Sequence, residues 1–165
     1  MTSEKTVSDS SVEEHTYKIF PNDLNAYDTA FGGMIMATID RIALVVAERH
    51  SAHTCVTASV DSMHFLNPAR RGDILLFSAA LNCAWRTSME IGVRVMAESP
   101  KTAEKHHILS AYLTFVALDE NRCPAEVPKL IPESSKEKRR YEEAQFRREQ
   151  RKRVAAQLKA RRAEQ

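Results

Sequence analysis

The stretch from Gly33 to Arg49 constrains this chain more than any other part of it. It contains no proline, is long enough for a helix, and is apolar on almost every side, broken only by Thr38, Asp40 and Arg41. A helix without a polar face has to be wrapped by other elements. The following segments can do the wrapping. Thr54 to Phe65, Gly72 to Trp85, Met89 to Glu98 and His107 to Leu118 are rich in apolar and β-branched residues. The clearest alternation sets Met89, Ile91, Val93, Val95 and Ala97 against Glu90, Gly92, Arg94, Met96 and Glu98. Asn67-Pro68, Arg71-Gly72, Arg86-Thr87-Ser88, Ser99-Pro100 and Asp119 to Arg122 separate the segments. These runs exceed the usual strand of about five or six residues. With a short first strand at His15 to Phe20, they predict an α+β domain: a long, curved antiparallel sheet around one central helix.

The two ends read differently. Residues 1–14 are polar, lack the apolar stretch of a signal peptide, and are expected to be disordered. The folded domain is expected over 15–123. Pro124, Pro128 and Pro132 then open a linker, followed by a charged helical tail to residue 165. The overall charge of +2 is unevenly shared: from Glu133 onward there are 12 Lys/Arg against 6 Asp/Glu. The tail's acidic residues are interleaved and its aromatics few, so a solvated helical face is expected rather than a nucleic-acid arm. Its apolar residues keep no heptad, which argues against a coiled coil. Cys55, Cys83 and Cys123 form no disulfide framework or metal knuckle and read as small buried residues of a reducing compartment. No apolar run can span a bilayer. The six histidines lack HxxxH or HxH spacing, so neither metal nor cofactor is expected. The protein is expected to be soluble and cytoplasmic.

Asp40 is the anomaly of the helix. A carboxylate there is either ion-paired with Arg41 or Arg49, or a desolvated general base or nucleophile. Gly32-Gly33 at the helix start leaves N–H donors and a positive dipole end open to an oxyanion. Gly33 and Asp40 stand about 10.5 Å apart along a helix axis. A reacting carbonyl needs both groups within about 3 Å. One helix cannot supply both, which predicts a dimer whose active sites combine Gly33 of one subunit with Asp40 of another. Asn25 and Thr29, just before the glycine pair, and Thr57, in a strand, are candidate partners for substrate or water. Arg71 and the Arg86-Thr87-Ser88 turn are candidate phosphate ligands.

These residues resemble a known pattern. Phe31-Gly32-Gly33, Met36 and Ile39-Asp40 are similar to the helix motif of the hotdog acyl-CoA thioesterases. Val56-Thr57-Ala58-Ser59-Val60-Asp61-Ser62-Met63, then Phe65, Pro68 and Gly72-Asp73, continue the match. Arg86 to Glu90, Leu113 to Leu118, and Val127-Pro128 through Tyr141-Glu142 follow in the family's order. The resemblance spans about Phe20 to Arg153. It implies a hotdog fold, paired into a double hotdog and grouped as a trimer of dimers, that hydrolyses fatty acyl-CoA to free acid and CoA. It implies Asp40 as catalytic acid residue, Asn25 and Thr57 as further active-site positions, Gly32-Gly33 as oxyanion site, and the Arg86-Thr87-Ser88 turn and nearby basic residues against CoA phosphates. The chain departs from many relatives in having Tyr27-Asp28 where they carry Asn-Gly. A hotdog hydratase or dehydratase would need a His paired with a carboxylate, and no His lies near the glycine pair in sequence. A non-catalytic acyl-CoA binding module is the remaining alternative; Asp40, Asn25 and Thr57 argue against it.

Overall fold

Helix α1 runs from Gly32 to Ser51 and lies against a five-stranded antiparallel sheet in this computed structural model, which describes residues 4–163. In chain order the strands are β1 (Glu4–Thr6), β2 (Val12–Lys18), β3 (Thr54–Val60), β4 (Ile74–Ala84), β5 (Ser88–Glu98), β6 (Lys105–Leu118) and β7 (Lys129–Ile131). A second helix, α2, covers Ser135–Ala163. The large sheet has the order β2-β4-β5-β6-β3, and β1 pairs with β7 in a small parallel ribbon. The large sheet and α1 form the expected hotdog arrangement.

The alternation in β5 places Met89, Ile91, Val93, Val95 and Ala97 in the core with Leu75, Phe77, Leu109, Leu113 and Phe115 of the neighbouring strands. Ile35, Ile39, Ile42 and Val46 of α1 pack into the same core. Each of these aliphatic side chains contributes about 1.5–3 kcal/mol by leaving water. The helix is not enclosed on every side as its composition predicts. Met36, Arg41 and Val45 stay exposed, as do Phe31 before the helix and Val56 and Val60 on β3. Among the described residues β3 is an edge strand, bonded only to β6. Exposed apolar side chains beside an open strand edge mark an interaction surface.

Both chain ends depart from expectation. The predicted disorder over residues 1–14 gives way to β1 and the start of β2; only residues 1–3 of that span lie outside the described part. Lys5 Nζ anchors β1 by donating to the carbonyls of Arg49 and His50 at the end of α1. The proline-marked linker contains β7, and the tail does not face solvent throughout. Ala144 of α2 is fully buried, and Arg147 and Arg151 reach Glu90 on the outer face of β5. Glu90, on the polar side of the strand's alternation, is thereby fully buried as well. The predicted strand from Thr54 to Phe65 ends at Val60, and Asp61 to Leu66 continue without regular structure. Cys55 and Cys83 are buried as expected, and burial pushes the Cys83 thiol up to about 12. Cys123 is exposed. Among the described residues no helix is long and apolar enough to cross a membrane.

His50 closes α1 against β7. Its Nε2 lies 2.9 Å from the Pro128 carbonyl, and its buried Nδ1 has no partner among the described residues. Burial holds its pKa below the ordinary value, and Lys5 adds to this; the Pro128 carbonyl and Asp9 oppose it. A base with a depressed folded pKa binds more protons when unfolded. Its stabilising effect is complete above the unfolded pKa of about 6.5 and is lost as pH falls towards the folded value. The thermal midpoint should therefore fall between pH 7.5 and 5.5. His50→Gln, which keeps a donor for Pro128, should show a shallower fall in scanning calorimetry. Identical pH slopes would remove His50 from this role.

Candidate active site

Asp40 is partly buried on α1, and its ion pair with Arg41 or Arg49 does not form. Thr57 on β3 donates its hydroxyl to Asp40 Oδ1 at 2.7 Å, while Arg49 turns to the Ser11 carbonyl. Thr57 reaches the helix because its register partner, Phe115, faces α1 from the buried side of β6. A register shift between Thr57 and Ser59 then sends Ser59 to the other face, opposite Thr114. The carboxylate is thus oriented through one oxygen. Oδ2 is left to take a proton from water or to attack a carbonyl carbon.

The loop before α1 builds a second group. Asn25 Oδ1 accepts from the Tyr27 N–H at 2.8 Å, the Thr29 N–H at 3.3 Å and the Thr29 hydroxyl at 3.1 Å. Asn25 Nδ2 donates to Thr29 Oγ1 at 2.9 Å. Thr29 therefore locks the Asn25 amide. The Tyr27-Asp28 departure has a conformational reading: Asp28 sits in the left-handed region at φ 56°. Asp tolerates that region better than most residues, and Gly fits it freely.

Asn25, Thr29, Gly32, Ile35, Phe65 and Pro68 line a cavity of about 330 Å³ at the start of α1. Phe31, the residue before the helix, offers no side-chain cap. The positive end of α1 and its first N–H groups are thus uncapped. Space there is tight. A Cβ on Gly32 would stand 3.3 Å from the Phe65 ring, and one on Gly33 would overlap the Phe31 ring at 2.7 Å from Cζ. Phe65 and Pro68 entered the sequence reading as part of the family match, with no role at the site assigned to them. The Asn67-Pro68 break marked a strand end rather than a cavity wall.

The structure thus divides the candidates. Asn25, Thr29 and Gly32 share the cavity at the helix start, with Gly33 beside it; Asp40 and Thr57 pair further along α1. The candidate phosphate ligands also separate. Arg71 is near the Asn25 loop, ion-paired with Asp28 at 3.2 Å. The Arg86-Thr87-Ser88 turn sits at the β4–β5 hairpin, where Ser88 shares a second cavity, of about 680 Å³, with Ser59, Thr114 and Arg151.

The fold places this chain among hotdog proteins. The model of the family described as Thioesterase superfamily matches residues 27–104. An uncharacterised acyl-CoA thioester hydrolase of Bacillus subtilis is 40% identical over 74% of this chain and 71% of its own length. A solved acyl-CoA hydrolase of Staphylococcus aureus, in complex with butyryl coenzyme A and coenzyme A, superposes with a TM-score of 0.87 at 37% identity, covering 98% of this chain and 99% of that one. An apo-hexameric acyl-CoA thioesterase reaches a TM-score of 0.90 at 39% identity over 93% and 98% of the two chains. The chain belongs to the thioesterase superfamily.

Proposed function

We propose that this chain hydrolyses fatty acyl-CoA thioesters to free acid and CoA, with Asp40 as general base on water or as nucleophile. The Thr57–Asp40 hydrogen bond carries the reading: it orients the one carboxylate of an otherwise apolar helix. Gly32-Gly33 supplies the oxyanion site, and Asn25 orients water or the thioester. Arg71, Arg86, Thr87 and Ser88 meet the CoA phosphates. The likeness to the S. aureus hydrolase supports this. Solved variants of that enzyme replace an Asn, an Asp and a Thr whose spacings equal those of Asn25, Asp40 and Thr57. The open apolar face of α1 and the free edge of β3 support a dimer, and the hexameric relative supports a trimer of dimers. Three unpaired cysteines support a reducing cytoplasmic setting.

Two active sites shared across the dimer explain how groups about two turns apart on α1 can meet one carbonyl. Hydrolysis of an acetyl- to palmitoyl-CoA series, followed by free thiol release, should peak at one chain length. Asp40→Ala and Gly33→Val should each be inactive, whereas mixed dimers of the two should recover activity. In them one site keeps both Gly33 and Asp40. No recovery despite proven subunit exchange would confine each site to one chain. No hydrolysis of any chain length by folded protein would overturn the reaction itself.

A further inference from the structure

The stretch from Thr57 to Phe65 carries two parts of the proposed site. Thr57 at its start orients Asp40, and the Phe65 ring at its end lies against Gly32 in the helix-start cavity. Its first part, Thr57 to Val60, is edge strand paired with β6 across a register shift, and it has no regular structure after Val60. Beyond the strand its backbone is fixed by the Asp61 N–H on the Tyr112 carbonyl at 3.0 Å, and just past its end by the Leu66 N–H on the Ile108 carbonyl at 2.8 Å.

One side-chain contact ties it to the far side of the sheet. Arg151 of α2 donates to Asp61 Oδ2 at 2.8 Å and, through both terminal nitrogens, to Glu90 Oε2 at 3.0 Å. Glu90 is fully buried and is further gripped by Arg147, at 2.6 Å, and by Asn82 Nδ2, at 3.3 Å. The Arg147 guanidinium also stacks 3.7 Å above the Tyr112 ring, whose residue supplies the carbonyl that holds Asp61. Arg151 thus links Asp61 to an anchor that cannot shift without unpairing a buried charge.

We propose that Asp61 and Arg151 are positioning residues for hydrolysis: through them α2 sets the place of Thr57, and so the direction in which Asp40 points. The inference rests on the assignment of Asp40 and Thr57 above. Misplacing a reacting group by about 1 Å can cost on the order of 100-fold in rate. A contact acting through Thr57 and leaving the binding surface alone should lower kcat and spare KM.

The test is a double-mutant cycle in the full chain. Asp61→Asn keeps the shape and leaves Arg151 on Glu90. It should lower kcat about tenfold with KM within about twofold, in a protein of unchanged oligomeric state. Arg151→Gln removes the same contact from the other side, together with its two bonds to Glu90, and should lower kcat at least as much, so the kcat test survives if Asp61→Asn folds poorly. In a Thr57→Ala background, neither change should lower the residual kcat by more than about twofold, because the intermediary is already gone. An unchanged kcat in Asp61→Asn, or the same loss with and without Thr57, overturns the proposal while leaving the active site as assigned. Full turnover in Thr57→Ala alone overturns both.

Discussion

Asp40→Asn should fold and assemble as the wild type does and lose turnover by a factor of about 10²–10⁴, the range for losing a positioned general base. The substitution is nearly isosteric, and its remaining amide oxygen can still accept the Thr57 hydroxyl, which in wild type lies 2.7 Å from Oδ1. Three large neighbours on the same helix, Ile35, Ile39 and Ile42, are buried independently of the charge. Lost activity with an unchanged unfolding curve would therefore report chemistry and not collapse. The check is kcat on the best acyl-CoA substrate beside a thermal melt and a sizing column. Near-wild-type turnover would remove Asp40 from the mechanism.

The second large effect lies on the opposite face of the sheet from Asp40. Arg147→Met should destabilise the protein by about 3 kcal/mol, because removing one partner of a buried ion pair leaves the other incompletely paired. Glu90 has no solvent contact, and Arg147 supplies its shortest contact, at 2.6 Å. The loss of the guanidinium over Tyr112 adds a smaller amount, about 0.5–1 kcal/mol. Arg148→Met is the control. Its guanidinium lies 4.3 Å above the Trp85 ring and reaches no buried acid, so about 1 kcal/mol or less is expected. Adding Glu90→Gln to Arg147→Met should recover part of the loss by removing the charge left behind. Urea titration reads all of these as shifts in midpoint. Equal effects for Arg147 and Arg148 would mean that the buried charge is not what clamps α2.

Local pattern carried a good deal of this protein. The apolar run after Gly32-Gly33 is α1, and the alternation from Met89 to Ala97 is the core face of β5, because helix and strand periods write themselves into neighbouring residues. Asp40 stood out for the same reason: one carboxylate breaks a strongly apolar helix. Long-range pairing left no such trace. Composition could not tell which side of α1 the sheet covers and which stays open, since apolar residues on both sides look alike in sequence. Glu90 read as the polar side of a strand and proved fully buried, because two arginines more than fifty residues away pair with it. The tail read as a solvated face because its composition is charged; its docking depends on single ion pairs that propensity does not register. The first residues read as disordered because a three-residue strand is made by its partner, β7, and by Lys5 on the end of α1. The sequence by itself determined the elements, the core face of β5 and the singular carboxylate, all of which rest on contacts a few residues apart. Only the tertiary structure decided what Asp40 bonds to, what covers Glu90 and what holds Asp61, because each joins groups that the chain brings together only once it has folded.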